Sequence, residues 1–518
     1  MDRRAIRLTI AAVLFAASFA LAGPACAEEA SQLSASDWTT PMVGLEKRYA
    51  PSATTTWAPT GAQAPQPGLE KYRAAVSPGA YGSGPIGWAR REMAKECLCR
   101  KMMAGTPRQF WYRDYFRPSS WQEWLSLGTS AALVAGGAAM FIVDDRDFTS
   151  EVSDIGEIAL PTLAYLVPVA NADSWGLLQY AVQNAVSTGI TQGIKEGVQR
   201  WRPELDAPDS FPSGHTTAAF SGASFLHTRY GQNWGVPAYL GAILVGATRV
   251  NLERHYLSDV IAGAGVSMVS NWLLAIPFGG ECRELTRFGC PAKWRIEFAF
   301  SVVEQSLNDI QAPSDTGTPL SLNDWNEDDE GYPNARVSFQ YFINPRHELM
   351  LRIDPFEFQG VRTLTDPISF GGQTFAAGEE TFSRWTAHEY KLRWRYEFLP
   401  RNRCFDLRAG VTGVVGDYRA EIYNEAASGS VSESGVIAAP HVYGAWEFAR
   451  DFELSVRAEG IPGVDFAGVD VETVLRWYLR PRWDFGVGYR YNRTRLSISE
   501  VDNDVESHEL FLAFGRSF

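Results

Sequence analysis

The chain has 518 residues, more than one ordinary domain needs, and its 45% of hydrophobic residues is typical of folded protein rather than of disorder. Its net charge is −13 and it contains no long run of Lys and Arg, which argues against a nucleic-acid partner. The sequence therefore predicts several folded units, and it does not predict a basic, nucleic-acid-binding protein.

The first 27 residues have the pattern of a secretory signal peptide. Basic residues at 3, 4 and 7 precede the apolar run 8–22, and the small residues at 25–27 suit cleavage by signal peptidase. A lipoprotein with an acylated Cys26 is the alternative, although Gly23 stands where such signals usually have Leu. We therefore predict that residues 1–27 are removed on export.

Export permits disulfide bonds among the remaining cysteines. Cys282 and Cys290 are close enough in sequence to pair, and Cys97 or Cys99 can pair elsewhere. Together with Cys404 the number is odd, so one thiol is left over.

Residues 28–90 predict a linker, because the stretch 51–87 is rich in Pro, Gly, Ala, Ser and Thr and has few periodic apolar positions. The basic and aromatic stretch 90–124 favours packing against the next domain, with an interfacial segment at a bilayer as the alternative.

Residues 91–290 predict an all-α domain. Apolar runs of helix length occupy 125–143, 158–169 and 235–247. Most of these runs are short or only mildly hydrophobic for a membrane span, which favours a helical bundle in water, while 125–143 keeps a membrane-embedded domain open.

Residues 291–518 change to the period of β-strands. In 390–398, 452–458 and 483–491, apolar or aromatic residues alternate with charged, polar or small ones. A soluble β-sandwich also alternates. The long strands, their aromatic faces and a last strand that ends on Phe518 favour an antiparallel transmembrane β-barrel, and this region resembles bacterial outer-membrane barrels.

The connections predict about ten barrel strands. Short turns at 344–345, 400–402, 450–451 and 481 alternate with longer polar stretches, which is the asymmetry of an outer-membrane barrel. The polar stretches, interpreted as loops, are 306–334, 359–384, 418–435, 461–469 and 498–504. Since the strand number is even, the start of the first strand and the end of the last are expected to face the periplasm, and so is the helical domain that precedes the barrel.

The first of three motifs in the helical region is a pair of cations. Lys195 and Arg202 are two helical turns apart and can share one helix face, and Pro203 is placed to end that helix. Such a pair is costly to bury without an anion, so either a bound anion or two exposed surface charges is predicted.

The second motif, 212–215, predicts a helix start. The Ser213 hydroxyl and the Gly214 N–H can bind an anion at a helix N-terminus, with His215 in the first turn. An ordinary helix cap is the alternative.

The third motif runs from Thr248 to Asp259 and includes Arg249. His255 and Asp259 are four residues apart, so the carboxylate can orient the imidazole and stabilise its charged form. A plain surface pair is the alternative.

Together and in this order, the three motifs resemble the signature of the type 2 phosphatidic acid phosphatase (PAP2) superfamily, which includes bacterial class A acid phosphatases and vanadium-dependent haloperoxidases. The resemblance covers about residues 125–277. Thr248 stands where the pattern usually has Ser, and it retains the hydroxyl.

The resemblance implies hydrolysis of phosphate monoesters or diphosphates, including lipid phosphates. It makes His255 the nucleophile that forms a phosphohistidine, Asp259 its orienting group and His215 the general acid. It implies that the phosphoryl oxygens are held by Lys195, Arg202, Ser213, Gly214 and Arg249.

The resemblance implies no metal or other cofactor, because the cationic side chains neutralise the phosphate, although vanadate can occupy the same pocket. The expected partners are a phosphorylated small molecule or lipid and the lipid of the outer membrane. Of the five histidines outside the motifs, the four in the barrel region are expected to be structural.

Two other functions remain open. One is a vanadate-dependent haloperoxidase, which the compact motif spacing disfavours. The other is a non-enzymatic barrel whose helical domain only binds phosphate. A charged inner face predicts a filled barrel rather than a wide pore; its residues are Lys391, Arg393, Arg395, Glu397 and Asp484.

Overall fold

The structure is a computed structural model that describes residues 129–130, 132–133, 146–275 and 294–517, the last range with gaps at 314–315, 326–330, 345, 399–404, 450–451, 462–465, 481–482 and 499–500. The predicted signal peptide and linker, the cysteines at 97, 99, 282, 290 and 404, and Phe518 lie outside these residues.

Five helices form the first part of the described chain. Side-chain caps set two of their starts: Asp173 accepts a hydrogen bond from the Gly176 N–H (2.8 Å), and Ser213 accepts one from Thr216. The helices are α1 (Arg146–Ala170), α2 (Ser174–Val198), α3 (Gly214–Tyr230), α4 (Gln232–Asn251) and α5 (Leu257–Leu274).

Helix α3 lies at the centre of this domain and contacts each of the other four helices. Its Phe225 and Leu226 are fully buried in the core. Gly222 faces the backbone of α1, where an added Cβ would come within 2.5 Å of the Leu160 carbonyl oxygen. A glycine is therefore required for the close approach of α1 and α3.

Ten antiparallel strands form a closed barrel, which confirms the predicted number and type. Each strand pairs with the next along the chain, and the last pairs with the first from Arg295↔Ser517 to Gln311↔Asp502. The strands are β1 (Trp294–Gln311), β2 (Tyr332–Asn344), β3 (His347–Thr363), β4 (Glu380–Glu397), β5 (Phe405–Tyr423), β6 (Ser428–Ala449), β7 (Phe452–Ile461), β8 (Phe466–Arg480), β9 (Trp483–Ile498) and β10 (Val501–Ser517).

Charged side chains fill the barrel interior. Arg352 on β3 donates to Glu472 on the opposite wall (2.9 Å), and the fully buried Arg490 donates to Asp354 and Asp470. The five charged residues predicted to face inward are all buried. The interior is therefore packed across its width, as predicted, and is no wide pore.

The outer face of the barrel is apolar between two different ends. The turn end is where two residues join β2 to β3, β6 to β7 and β8 to β9, and where β1 begins and β10 ends. Exposed aromatic pairs stack near it, such as Phe405 on Trp446 and Phe452 on Trp477. The opposite loop end carries the long connections 312–331 and 364–379.

The predicted loops were too long. Strands β3 and β4 continue to Thr363 and from Glu380, and β5 and β6 are separated only by 424–427. Most of 359–384 and 418–435 is therefore strand or a short hairpin within the connection (Ile368–Phe370 with Gln373–Phe375). In these stretches the strands lose their apolar face but keep their backbone pairing. A sequence pattern shows the loss of the apolar face and does not show the pairing.

The helical domain lies against the outer wall of the barrel. Phe298 and Phe300 alternate with inward-facing residues of β1, and both contact α5 at Gly265. Trp272, near the end of α5, packs edge-on against Trp483 at the turn end (ring centroids 5.7 Å apart). The prediction of a domain that faces the periplasm did not include this contact, because the outward face of a strand carries no mark of what covers it.

Two helical segments in the described residues are long and apolar enough to cross a membrane. Leu257–Leu274 is 78% buried inside the molecule, as a core helix would be. Thr149–Ala170 is only 28% buried, so most of its apolar surface faces outward.

Replacing Gly222 with Val should destabilise the helical domain by about 1–3 kcal/mol, because the side chain would force α1 away from α3. The thermal midpoint, followed by helical circular dichroism, measures the effect, while heat-modifiable gel migration reports the barrel. Gly193→Ala is the matched control, since an added Cβ there meets nothing within 4 Å. Equal midpoints for the two variants would contradict the close packing.

Candidate active site

The structure brings the predicted site residues together at one end of the helical domain. They come from the ends of four helices and from the two connections between them, 199–213 and 252–256. The cations are Lys195 (α2), Arg202 (199–213) and Arg249 (α4), and the others are Ser213, Gly214 and His215 at the start of α3, His255 in 252–256 and Asp259 in α5.

His255 is buried and held in one tautomer. Its Nδ1 lies 2.8 Å from the Ser210 carbonyl oxygen, which can only accept, so Nδ1 carries the proton. In the neutral ring the lone pair is then on Nε2. The predicted partner, Asp259, is 3.7 Å from Nδ1, so it acts on the imidazole chiefly through its charge.

Asp259 is fully buried and accepts hydrogen bonds from three groups other than His255. Its carboxylate accepts from the Tyr256 N–H (2.8 Å), from the Ser210 hydroxyl (2.5 Å) and from Arg200 Nη1 (2.9 Å). The guanidinium of Arg200 also stacks over the Tyr256 ring at 4.1 Å. Arg200 was not predicted, because its position between the spaced residues of the first motif has no pattern of its own.

Arg200 also contacts Glu357, a residue of the barrel strand β3. Its Nη2 donates to the Glu357 carbonyl (3.1 Å) and lies 3.7 Å from the Glu357 side chain. Glu357 accepts from the Leu257 N–H (2.9 Å) and from the Ser258 hydroxyl, and lies 2.9 Å from His388 Nε2. A barrel carboxylate thus satisfies the first N–H groups of α5, where negative charge is favoured.

The three predicted cations share one pocket. Lys195 lies 4.0 Å from Asp209, and Arg202 Nε lies 2.8 Å from the same carboxylate. Burial lowers the pKa of Arg249; Asp154 opposes this, and the charge of Arg202 lowers it further. Like charges held this close repel one another, and an anion between them would relieve that repulsion.

Ser213 and Gly214 lie beside these cations. The buried Ser213 hydroxyl accepts from the Thr216 N–H (3.4 Å) and from Thr216 Oγ1 (3.0 Å), so it serves as the helix cap that the sequence offered as an alternative. A Cβ at Gly214 would be 3.9 Å from Lys195 Cε, which puts the helix N-terminus next to that cation. The hydroxyl of Thr248, the residue that departs from the family pattern, donates to the Val245 carbonyl within its own helix (2.6 Å).

His215 meets two acidic residues of α1 that were not predicted. Its Nε2 lies 2.8 Å from Glu157 and 3.3 Å from Asp154, and Asp154 is 3.8 Å from Arg249. Asp154, Glu157 and His215 have ligand atoms within 4.8 Å of one another, a spacing that can suit a metal ion. The charge of Arg249 opposes a cation there, and the predicted absence of a metal stays a prediction.

Residues 176–278 match the family model of the PAP2 superfamily, and the chain thus carries a PAP2 superfamily domain followed by a closed ten-strand barrel. Among curated proteins it is 30% identical over 164 residues to the lipid A 1-phosphatase of Porphyromonas gingivalis. That match covers 28% of this chain, and the chain spans 37% of the length of that relative.

Similar solved structures include one for each part of the chain. LpxE of Aquifex aeolicus is 20% identical, with 25% of this chain and 83% of that chain covered and a TM-score of 0.23. The outer membrane protease OmpT of Escherichia coli is 12% identical, with 44% and 97% covered and a TM-score of 0.28. Both TM-scores are low.

Replacing Arg200 with Met should lower the free energy of unfolding by about 3–5 kcal/mol, because it leaves the buried Asp259 and Glu357 without their cation. The midpoint of thermal unfolding measures the loss. Arg254→Met is the control, since Arg254 is 42% exposed and its ion pairs contribute about 0–1 kcal/mol. A midpoint for Arg200→Met as high as that of the control would show that the bridge is not needed.

Proposed function

We propose that the chain is a phosphatase, anchored in an outer membrane by its barrel, that hydrolyses phosphate monoesters or diphosphates on lipids. The observation that carries the proposal is one pocket in which three mutually repelling cations, Lys195, Arg202 and Arg249, adjoin two histidines. A phosphate dianion relieves that repulsion and brings its phosphorus next to a nucleophile.

The first step forms a phosphohistidine. Nε2 of His255 attacks phosphorus, the P–N bond forms and the P–O bond to the leaving group breaks. His215 donates a proton to the departing oxygen. The hydrogen bond from Nδ1 to Ser210 keeps the lone pair on Nε2, and the nearby charge of Asp259 stabilises the ring as it becomes cationic.

The second step restores the enzyme. Water attacks phosphorus and gives its proton to His215, the P–N bond breaks and inorganic phosphate leaves. In both steps the equatorial oxygens carry growing charge, which the cations and the N-terminus of α3 stabilise. This chemistry uses no metal ion, because the side chains supply the positive charge.

A lipid substrate is favoured by the setting of the site. The pocket belongs to a domain packed on the apolar outer wall of a barrel, so an amphiphile can reach it within a membrane. The curated relative is named as a lipid A 1-phosphatase, which is a lipid phosphatase. The class of phosphorylated lipids is therefore proposed, with the outer membrane as the location.

Replacing His255 with Ala should lower kcat for phosphate release by roughly 10⁴-fold or more, because the covalent route is lost. Release is measured from a lipid phosphate in mixed micelles and from a soluble aryl phosphate, and mass spectrometry of quenched wild-type protein tests for phosphorylated His255. His508→Ala, on the barrel, is the control and should keep full activity. Turnover by His255→Ala at the wild-type rate would rule out its assignment.

The pH profile should respond to Asp259. Burial lowers the pKa of His255 below its usual value; Lys195 and Arg249 act in the same direction, and Asp259 raises it. The imidazole is thus neutral at pH 7 and can act as the nucleophile. It becomes protonated, and loses the free lone pair on Nε2, only as the pH falls through its lowered pKa. Asp259→Asn removes the raising charge, so the acid limb of kcat/KM should move to lower pH.

The matched comparison for this profile is Asp209→Asn. The carboxylate of Asp209 contacts the cations and is not among the groups with the largest effects on the pKa of His255. A shift of the acid limb to higher pH in Asp259→Asn would contradict the assignment of His255.

A further inference from the structure

The two ends of the barrel differ in a way that orients it in a membrane. At the turn end, three of the four connections (β2–β3, β6–β7 and β8–β9) have two residues each and the fourth, 398–404, has seven, and the barrel chain begins and ends there. At the loop end, the first two connections, 312–331 and 364–379, are much longer than any at the turn end, and the other three, 424–427, 462–465 and 499–500, are short. Outer-membrane barrels keep short turns in the periplasm and longer loops outside, so the loop end faces the cell surface.

The active site lies at the loop end. Glu357, which contacts Arg200 and the start of α5, is six residues from the end of β3 at Thr363. Arg384, four residues into β4, donates to the Pro203 carbonyl and lies 3.7 Å from Glu253, which joins both active-site connections to the same end of the wall.

The site also lies at the edge of the apolar wall. The outward residues of β3 are apolar from Leu349 through Ile353 to Pro355, and they become polar at Glu357 and Gln359. The nine residues from Leu349 to Glu357 are eight steps along the strand, about 26 Å, and strand tilt makes the height that they cover somewhat smaller. This is near the ~25 Å height of the apolar band of an outer-membrane barrel. The pocket is therefore level with lipid headgroups.

The length of helix α5 matches the height of the apolar wall. Its start meets Glu357 at the loop end and Trp272 meets Trp483 at the turn end, so its 18 residues, about 27 Å, run along the whole apolar wall. The helical domain thus lies beside the barrel at membrane height and not beyond either end.

Helices α1 and α2 extend the apolar surface away from the barrel. Each carries an exposed apolar stripe along its length, which would be unfavourable over so large an area in water. The stripe residues are Ile155, Ile158, Leu163, Leu166 and Val169 on α1, and Trp175, Leu178, Val182, Val186 and Ile190 on α2.

We propose that this domain is embedded beside its barrel in the membrane, with lipid acyl chains against the α1–α2 stripe. Its pocket opens at the headgroup level of the cell-surface leaflet, and its substrates are phosphorylated amphiphiles of that leaflet that enter laterally. The inference rests on the proposed phosphatase function and replaces the periplasm-facing orientation expected from the sequence.

Labelling of intact cells with a membrane-impermeant maleimide tests the orientation. Single cysteines are placed at Glu204 beside the pocket, at Ala377 in a loop-end connection and at Ala449 at the turn end, in a chain whose native cysteines are Ser. All three positions are exposed. We expect Glu204→Cys and Ala377→Cys to label as fully in intact as in lysed cells, and Ala449→Cys to label only after lysis.

The reverse pattern would overturn the orientation. Labelling of Ala377→Cys without Glu204→Cys would place the pocket away from the surface and would overturn the proposal as well.

A nitroxide at Val182 tests the lipid contact in proteoliposomes. We expect its relaxation to be enhanced by oxygen, which dissolves in lipid, and not by a water-soluble nickel chelate. A nitroxide at Ala377 is the control and should respond to the chelate. A response to the chelate at Val182, or to neither reagent because another part of the chain covers the stripe, would overturn the lipid contact.

The substrate class is tested with a fluorescent phosphatidic acid inserted into the outer surface of intact cells. Wild type should dephosphorylate it, and His255→Ala should not. If detergent extracts cleave it but intact cells do not, the leaflet assignment fails while the phosphatase stands. If extracts release no phosphate from any substrate, the proposed function fails, and the labelling result still decides the orientation.

Discussion

The rest of the structure depends on one buried bridge, the guanidinium of Arg200 between Asp259 and Glu357. One carboxylate belongs to the helical domain and the other to the barrel wall, and burying the two side by side is costly without the cation that joins them. Such a bridge adds little net stability compared with apolar packing, but losing one partner is costly. The bridge therefore contributes specificity: it fixes where the helical domain packs on the barrel and how α5 is oriented.

The bridge also links the barrel to the chemistry. Asp259 faces His255 on one side and Arg200 on the other, and Glu357 holds the first backbone N–H groups of α5. A barrel that only anchored the chain would have no reason to present a carboxylate at this point of its outer wall. The barrel is better described as part of the framework that positions the proposed nucleophile, together with Arg384, which holds the connection at Pro203.

Much of the fold was readable because periodicity records which face of a strand is apolar. The strict alternation in 390–398 and 483–491 predicted barrel strands, and counting them gave the observed ten. The loops were less readable. Strands β5 and β6 keep their pairing well past the point where their outer face turns polar, and a polar stretch that is still hydrogen-bonded looks like a loop in sequence.

The sequence by itself determined the existence of a barrel. It also singled out the eight predicted site residues through the order and spacing of three short motifs, and the structure brings these residues together. Only the tertiary structure decided what surrounds them: Asp154 and Glu157 beside His215, Arg200 behind Asp259, and the height of the pocket on the barrel wall. The physical reason is that motif spacing reflects neighbours within one or two helical turns, whereas Arg200 and Glu357 meet across 157 residues of chain. Such contacts depend on how two finished surfaces pack, which no local pattern encodes.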